Sequence, residues 1–157
     1  MQIGEEESNG FEFDLAGEIT PNWSILASYA YIDARITKTA SNSEKDFDMQ
    51  RPSTPRHSGN IWTKYIITEG PLKHLGFGAG YNFVTERYGQ VGRRANTTIY
   101  PGYGLVNAVL YYKINQIQFQ ANLNNILNKT HWVGGYDKLR SFPGAPRNVN
   151  ISISYKF

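Results

Sequence analysis

The last eleven residues, Arg147 to Phe157, constrain the fold more than any other stretch. Val149, Ile151, Ile153, Tyr155 and Phe157 alternate without a break with Asn148, Asn150, Ser152, Ser154 and Lys156. A strand sends successive side chains to opposite faces, so this pattern makes one apolar and one polar face. Its length fits the roughly 9–11 residues that a tilted strand needs to cross a bilayer. The aromatic Phe157 is followed at once by a carboxylate, an awkward neighbour for a soluble core. A membrane–water boundary with its aromatic belt accommodates both. The expectation is a transmembrane β-barrel.

Composition agrees with that reading. Mean hydropathy is negative, and no apolar run approaches the ~18 residues of a spanning helix, which excludes a helical membrane protein. A barrel is not excluded, because only every second residue of its wall meets lipid. Aromatics make up 14%, with eleven Tyr, and the 15 Gly favour strands and turns over helices. There is no Cys, which removes disulfides and thiolate metal sites from consideration. The net charge of +3 is spread along the chain, so nothing points to a nucleic-acid partner. Met1-Gln2-Ile3-Gly4 and then Glu5-Glu6-Glu7 contain neither the basic nor the apolar part of an export signal. The chain is therefore expected to be the C-terminal portion of a longer protein.

Alternation predicts seven antiparallel strands, near residues 10–20, 23–35, 56–67, 75–89, 102–113, 117–128 and 147–157. One face carries Ile25, Tyr29, Phe77, Tyr81, Phe119, Leu123, Ile151, Ile153 and Tyr155 and is expected to meet lipid. The other carries Glu12, Asp14, Asn122, Asn124, Asn150 and Ser152 and suits a wet lumen. For 102–113 both faces are apolar, and Asn107 favours Val106, Ala108, Leu110 and Tyr112 as the lipid set. Gly76, Gly78 and Gly80 fall on the inner face, leaving room for another group or allowing the wall to curve. The links Pro21-Asn22, Thr68–His74 and Ile114–Gln116 are short. Those at 36–55, 90–101 and 129–146 are long and polar. Short periplasmic turns with long extracellular loops are the layout of outer-membrane barrels. A soluble antiparallel barrel, with in and out exchanged, is the competing reading.

Several blocks resemble the C-terminal part of TonB-dependent outer-membrane receptors of the ferric-siderophore type. They are Gly4-Glu5-Glu6-Glu7-Ser8-Asn9-Gly10-Phe11-Glu12, the aromatic strand from Trp23 to Asp33-Ala34, and Pro55-Arg56-His57. Gly76-Phe77-Gly78-Ala79-Gly80 and Pro101-Gly102-Tyr103 with Leu105-Val106-Asn107-Ala108 follow. The last are Asn122-Leu123-Asn124-Asn125-Ile126-Leu127-Asn128-Lys129 and Pro143-Gly144-Ala145-Pro146-Arg147. Their order covers nearly the whole chain; position 131 is His where such receptors usually have Tyr.

The resemblance implies an all-β, antiparallel up-and-down transmembrane β-barrel segment. It would supply about seven strands of a plugged barrel of about 22, with residues 1–157 as its C-terminal portion and the plug domain and signal peptide absent. It further implies energy-coupled import of ferric siderophores across the outer membrane of a Gram-negative bacterium. The inner-membrane protein TonB would act through the missing N-terminal region, and iron would arrive inside the siderophore, with no cofactor or metal ligated by the protein. Outer-membrane lipid and the barrel-assembly machinery are the other expected partners, the latter reading Tyr155 and Phe157. The alternative is a small stand-alone barrel with a passive or structural role.

No catalytic constellation is apparent, so no enzyme is expected. His57, His74 and His131 lie on different segments, and His57 and Ser58, as neighbours in a strand, point to opposite faces. The acidic run Ser43–Asp48 lacks the spacing of a calcium loop. Candidate ligand contacts are Arg93, Arg94, Tyr100, Trp132, Tyr136 and Arg140, on the long loops. Arg beside Tyr or Trp offers charge-assisted hydrogen bonds and stacking to an anionic or aromatic siderophore. The plainer reading of the same residues is contact with headgroups and the membrane interface.

Overall fold

The computed structural model describes residues 4–39, 49–89, 98–135 and 139–157. These contain strands and turns and no helix. Seven long strands form the wall: β1 (Gly4–Thr20), β2 (Trp23–Thr39), β4 (His57–Ile66), β5 (Leu75–Val84), β8 (Tyr103–Ile114), β9 (Ile117–Asn124) and β12 (Asn148–Tyr155). They pair in that order, each antiparallel to the next. β3 (Met49–Gln50) adds to the outer end of β2. β6 (Arg87–Tyr88) with β7 (Ile99–Tyr100), and β10 (Trp132–Gly135) with β11 (Ser141–Pro143), form two small ribbons. The sheet is open: among the described residues β1 and β12 are its edges.

Register sorts the side chains. Phe13 pairs with Tyr29, Ile61 with Tyr81, Tyr81 with Val106, Phe77 with Leu110, Leu110 with Ala121 and Ala121 with Ile151. Directly opposed residues share a face, so the predicted lipid set, including the one chosen for 102–113, forms one continuous surface. The same rungs place Glu12, Asp14, Asn60, Asn82, Asn107, Gln120, Asn122 and Asn150 on the reverse.

The apolar face is not a core. Phe11, Phe13, Leu110, Ile151 and Ile153 are all more than half exposed, and only Ala34, Ile36 and Tyr100 are buried apolar residues among those described. A soluble sandwich or barrel would have covered this face, because hydrophobic burial is its main source of stability. Aromatic residues bracket the surface at Trp23 and Tyr31 on β2. Their eight-residue separation spans about 26 Å of strand, or about 20 Å at a tilt of about 40°, close to the roughly 25 Å of an outer-membrane apolar band.

The inner-face glycines have occupants. A β-carbon at Gly80 would sit 1.8 Å from the Trp62 indole, and one at Gly76 2.0 Å from the Tyr111 ring. Two large rings from neighbouring strands thus lie across the glycine track of β5, and the Lys64 ammonium stands 4.8 Å from the centre of the Tyr111 ring.

The start of β1 and the ends of β2, β5 and β9 depart furthest from the alternation pattern, β2 running on to Thr39 to pair with the extended start of β1. β1 starts at Gly4 because Gly4–Gly10 finds partners in Ile32–Thr39 above the rest of the wall, with Glu5–Lys38 and Glu6–Arg51 ion pairs alongside. β5 stops at Val84, and the chain leaves the wall to build β6. β9 stops at Asn124 because Asn125 takes the left-handed conformation (φ 50°) and turns the chain.

Candidate functional site

The inner turns are tight, such as Asn115-Gln116 with Asn115 at φ 51°. At the opposite end the strands feed the long connections, and there the buried polar groups gather. Arg87, Asn125 and His131 are each less than a tenth exposed.

Asparagines build the base of this rim. Asn107 Nδ2 donates to Asn82 Oδ1 (2.9 Å), and Asn107 Oδ1 accepts the backbone N–H of Asn125 (2.9 Å). The Asn125 side chain then acts three times. Its Oδ1 accepts from Lys129 N (2.8 Å), while Nδ2 donates to Lys129 O (2.9 Å) and Ala145 O (3.1 Å). Asn128 Oδ1 accepts from Arg147 N (2.9 Å). The start and end of the 129–146 connection are stapled together, so the two blocks Asn122–Lys129 and Pro143–Arg147 meet in space.

Above the staple lies a packed clasp. The His131 ring rests 4.5 Å from that of Tyr103, its Nδ1 lies 3.1 Å from Lys129 O, and its carbonyl accepts from Gly144 N (2.9 Å). Arg87 lies over the other ring system, 5.5 Å from the Tyr103 centroid, and donates to the Trp132 carbonyl. Tyr100 inserts between the ribbons: its hydroxyl is 3.0 Å from Ser141 Oγ, and its ring leaves no room for a β-carbon at Gly89 or Gly135. The described parts of two connections far apart in sequence are thereby held against each other.

The candidate ligand residues fall as follows. Trp132 is on β10 with its ring partly exposed, and Arg140 is exposed in the turn leading to β11. Tyr100 is buried as the pin between the ribbons. Arg93, Arg94 and Tyr136 lie outside the described residues. Alternation along the chain gave no sign of Arg87, Tyr103 and Asn107 as partners of the clasp. Their contacts cross 18 to 45 residues of sequence, and the only local hint was the density of Asn around 122–128. On the polar face of β1, β2, β4 and β5, a recess of about 390 Å³ is lined by Glu12, Asp14, Ser28, Ser58, Asn60 and Asn82 among others. The histidines stay apart: His57 joins Tyr29 (2.7 Å from its hydroxyl) and Tyr31 on the lipid face, and His74 is in an inner turn.

An open antiparallel wall with an exposed apolar outer face, a polar inner face and a looped rim matches a known family. The sequence model described as "TonB dependent receptor-like, beta-barrel" matches residues 1–126. The chain belongs to the TonB-dependent receptor family. It is a stretch of outer-membrane barrel wall. The probable TonB-dependent siderophore receptor PiuA of Acinetobacter baumannii is 31% identical over 164 residues, which cover 99% of this chain and 21% of that protein. The catecholate siderophore receptor Fiu of Escherichia coli is 30% identical over 163 residues, 99% of this chain and 20% of Fiu. The crystal structure of PiuA superposes with a TM-score of 0.80, covering 98% of this chain and 22% of PiuA. The closed form of Fiu gives 0.80 at 26% identity, covering 98% and 21%. The chain spans about a fifth of the length of the curated relatives it matches.

Proposed function

We propose that this chain is the C-terminal part of the barrel wall, with its surface loops, of a receptor that imports ferric siderophores. Transport is energy-coupled through TonB and depends on regions outside residues 1–157. The observation that carries the reading is the packed rim, on a wall whose relatives over nearly its whole length are named as siderophore receptors. A rigid scaffold holding aromatic and basic loop residues suits capture of a compact ferric complex. Trp132 and Arg140 from the described residues, with Arg93, Arg94 and Tyr136, are the contacts we assign to the ligand. Tyr100 supports them from below. Iron stays within the siderophore, and the protein supplies no metal ligand and no catalysis. Tyr155 and Phe157, at the end of an unpaired edge strand, serve the barrel-assembly machinery, since such an edge is a template for strand addition. The lipid face meets outer-membrane lipid. A self-contained passive barrel is disfavoured by the open sheet, whose two edges would be left unpaired in hydrocarbon.

The test is complementation. An iron-starved strain lacking the full-length receptor is supplied with the gene and fed a panel of siderophores. Growth restored by at least one ferric siderophore, and lost when TonB is deleted, is the expected result. Growth unaffected by the gene across a broad panel would refute siderophore import.

A further inference from the structure

Arg87 on β6 carries a charge that nothing around it compensates. The residue is 4% exposed. One terminal nitrogen, Nη2, donates to the Trp132 carbonyl, and the guanidinium carbon stands 5.5 Å from the centre of the Tyr103 ring. The other, Nη1, is buried with no partner among the described residues. No described carboxylate forms an ion pair with it, and Glu86, its neighbour in the chain, is exposed. An Arg side chain is a cation throughout the physiological range, and a buried charge without a counter-charge weighs heavily against folding. Holding the Trp132 carbonyl needs only a donor, which a neutral Gln would also supply. The positive charge itself is left without a role inside the clasp.

Register fixes which way this charge looks. Tyr103 pairs with Val84, on the same two strands as the Asn82 and Asn107 rungs and in phase with both. Residues an even number apart in a strand share a face, so the Tyr103 ring stands on the polar, inner side of the wall and Arg87 lies over it there. Lipid is on the reverse. On the ribbon, Arg87 pairs with Tyr100, while Tyr88 and the half-exposed Ile99 turn away. Thr98 shares the face of Tyr100, and its hydroxyl is uncharged, buried and likewise unpartnered. Among the described residues this side of the rim thus presents a cation with no anion beside it. Being buried, it is screened by water and salt far less than an exposed side chain such as that of Arg140.

We propose that Arg87 is a charge-selecting residue: its guanidinium makes the inner side of the rim prefer ferric complexes of net negative charge over neutral complexes of similar shape. The proposal rests on the reading that the rim receives a ferric siderophore, and adds to it the charge class and the residue that sets it. Arg87 acts through the field it casts across the low-dielectric clasp, and the complex need not touch it. Over roughly 10 Å at an effective dielectric constant of about 20, one such charge favours each negative charge of the complex by about tenfold in affinity.

The experiment compares the full-length wild-type receptor with Arg87→Gln, which keeps a donor for the Trp132 carbonyl without the charge, and Arg87→Lys, which keeps the charge. The probes are a trianionic ferric tris-catecholate and a neutral ferric tris-hydroxamate, both hexadentate. Arg87→Gln should weaken binding of the tris-catecholate at least about tenfold and of the tris-hydroxamate less than about twofold, with Arg87→Lys close to wild type. Equal weakening of both probes would mean that Arg87 only shapes the rim, and overturns the proposal, as does unchanged binding of both. Should Arg87→Gln fail to fold, the wild type decides by salt. A preference for the tris-catecholate that survives about 0.5 M NaCl supports a buried charge, and one that is absent or disappears overturns it. A second measurement needs no siderophore. A spin label at Val133, next to Trp132 and half exposed, collides with trianionic chromium(III) oxalate and with a neutral nickel chelate. The ratio of the two collision rates should fall about threefold from wild type to Arg87→Gln, and an unchanged ratio overturns the proposal. A falling ratio in a receptor that binds neither ferric probe would sink siderophore import while supporting Arg87 as the charge that selects anions.

Discussion

Asn125 is the residue on which the rim should depend most. Its side chain makes three hydrogen bonds, to Lys129 N, Lys129 O and Ala145 O, and it is buried. At a net ~1 kcal/mol per bond, with a further penalty for buried groups left unpaired, their loss should cost about 3 kcal/mol, within a range of about 2–5. The backbone contributes separately, because Asn125 sits at φ 50°, where Gly is unstrained and Ala is not. Asn125→Gly therefore removes only the side-chain bonds. Asn125→Ala adds about 1 kcal/mol of left-handed strain. Asn125→Asp keeps the acceptor for Lys129 N but turns a second oxygen toward two carbonyls, and should be about as damaging as Ala. The assay is amide exchange in the full-length receptor, comparing peptides from 126–135 and 141–147 with one from β8. In Asn125→Gly the loop peptides should exchange about a hundredfold faster, the equivalent of about 3 kcal/mol of local opening, with the wall unaffected. Unchanged protection in Asn125→Gly would refute the reasoning, since it would mean that the staple holds without its side chain. Equal behaviour of Gly and Ala would refute the strain component alone.

Gly80→Ala in the full-length receptor should force the Trp62 indole off the glycine track, costing about 1–3 kcal/mol and lowering the temperature at which the folded barrel is lost in a heat-modifiability gel. Spin labels at Ile153 and Ser152 should differ in quenching: oxygen favours Ile153 on the lipid face and nickel favours Ser152, and the reverse order would invert the wall. Phe157 is fully exposed beyond the end of β12, its ring 4.9 Å from Tyr155. Phe157→Ala should reduce the amount of folded receptor in the outer membrane without changing affinity per folded molecule, and normal surface levels would count against an assembly role. Replacing Trp132, Tyr136 and Arg140 together with Ala should abolish ferric-siderophore binding at unchanged surface expression. Intact binding would leave that loop a structural part only.

The wall was legible from sequence because its information is local. A strand repeats every two residues, so the alternation in Arg147–Phe157 and Leu75–Phe83 carries both conformation and facing without knowledge of any partner. Neighbour pairing followed from the short turns, and the lipid face from apolar residues that a soluble chain would have had to bury. Element ends were less legible where one residue decides them: Asn125 stops β9 through its own left-handed φ, inside a stretch that alternates on paper.

The rim was beyond any local pattern. Arg87 reaches Trp132 across 45 residues, Tyr100 reaches Ser141 across 41, and Tyr103 meets His131 only once β8 and β9 are aligned. Sequence marked Tyr100 as a ligand candidate because an aromatic on a long loop has the right chemistry for one. The fold instead buries it between two ribbons, because tight ribbon packing needs a large ring against Gly89 and Gly135. Composition and periodicity determine which face of a strand meets lipid. Which loop side chains meet each other depends on strand register summed across the sheet, and that exists only in the folded chain.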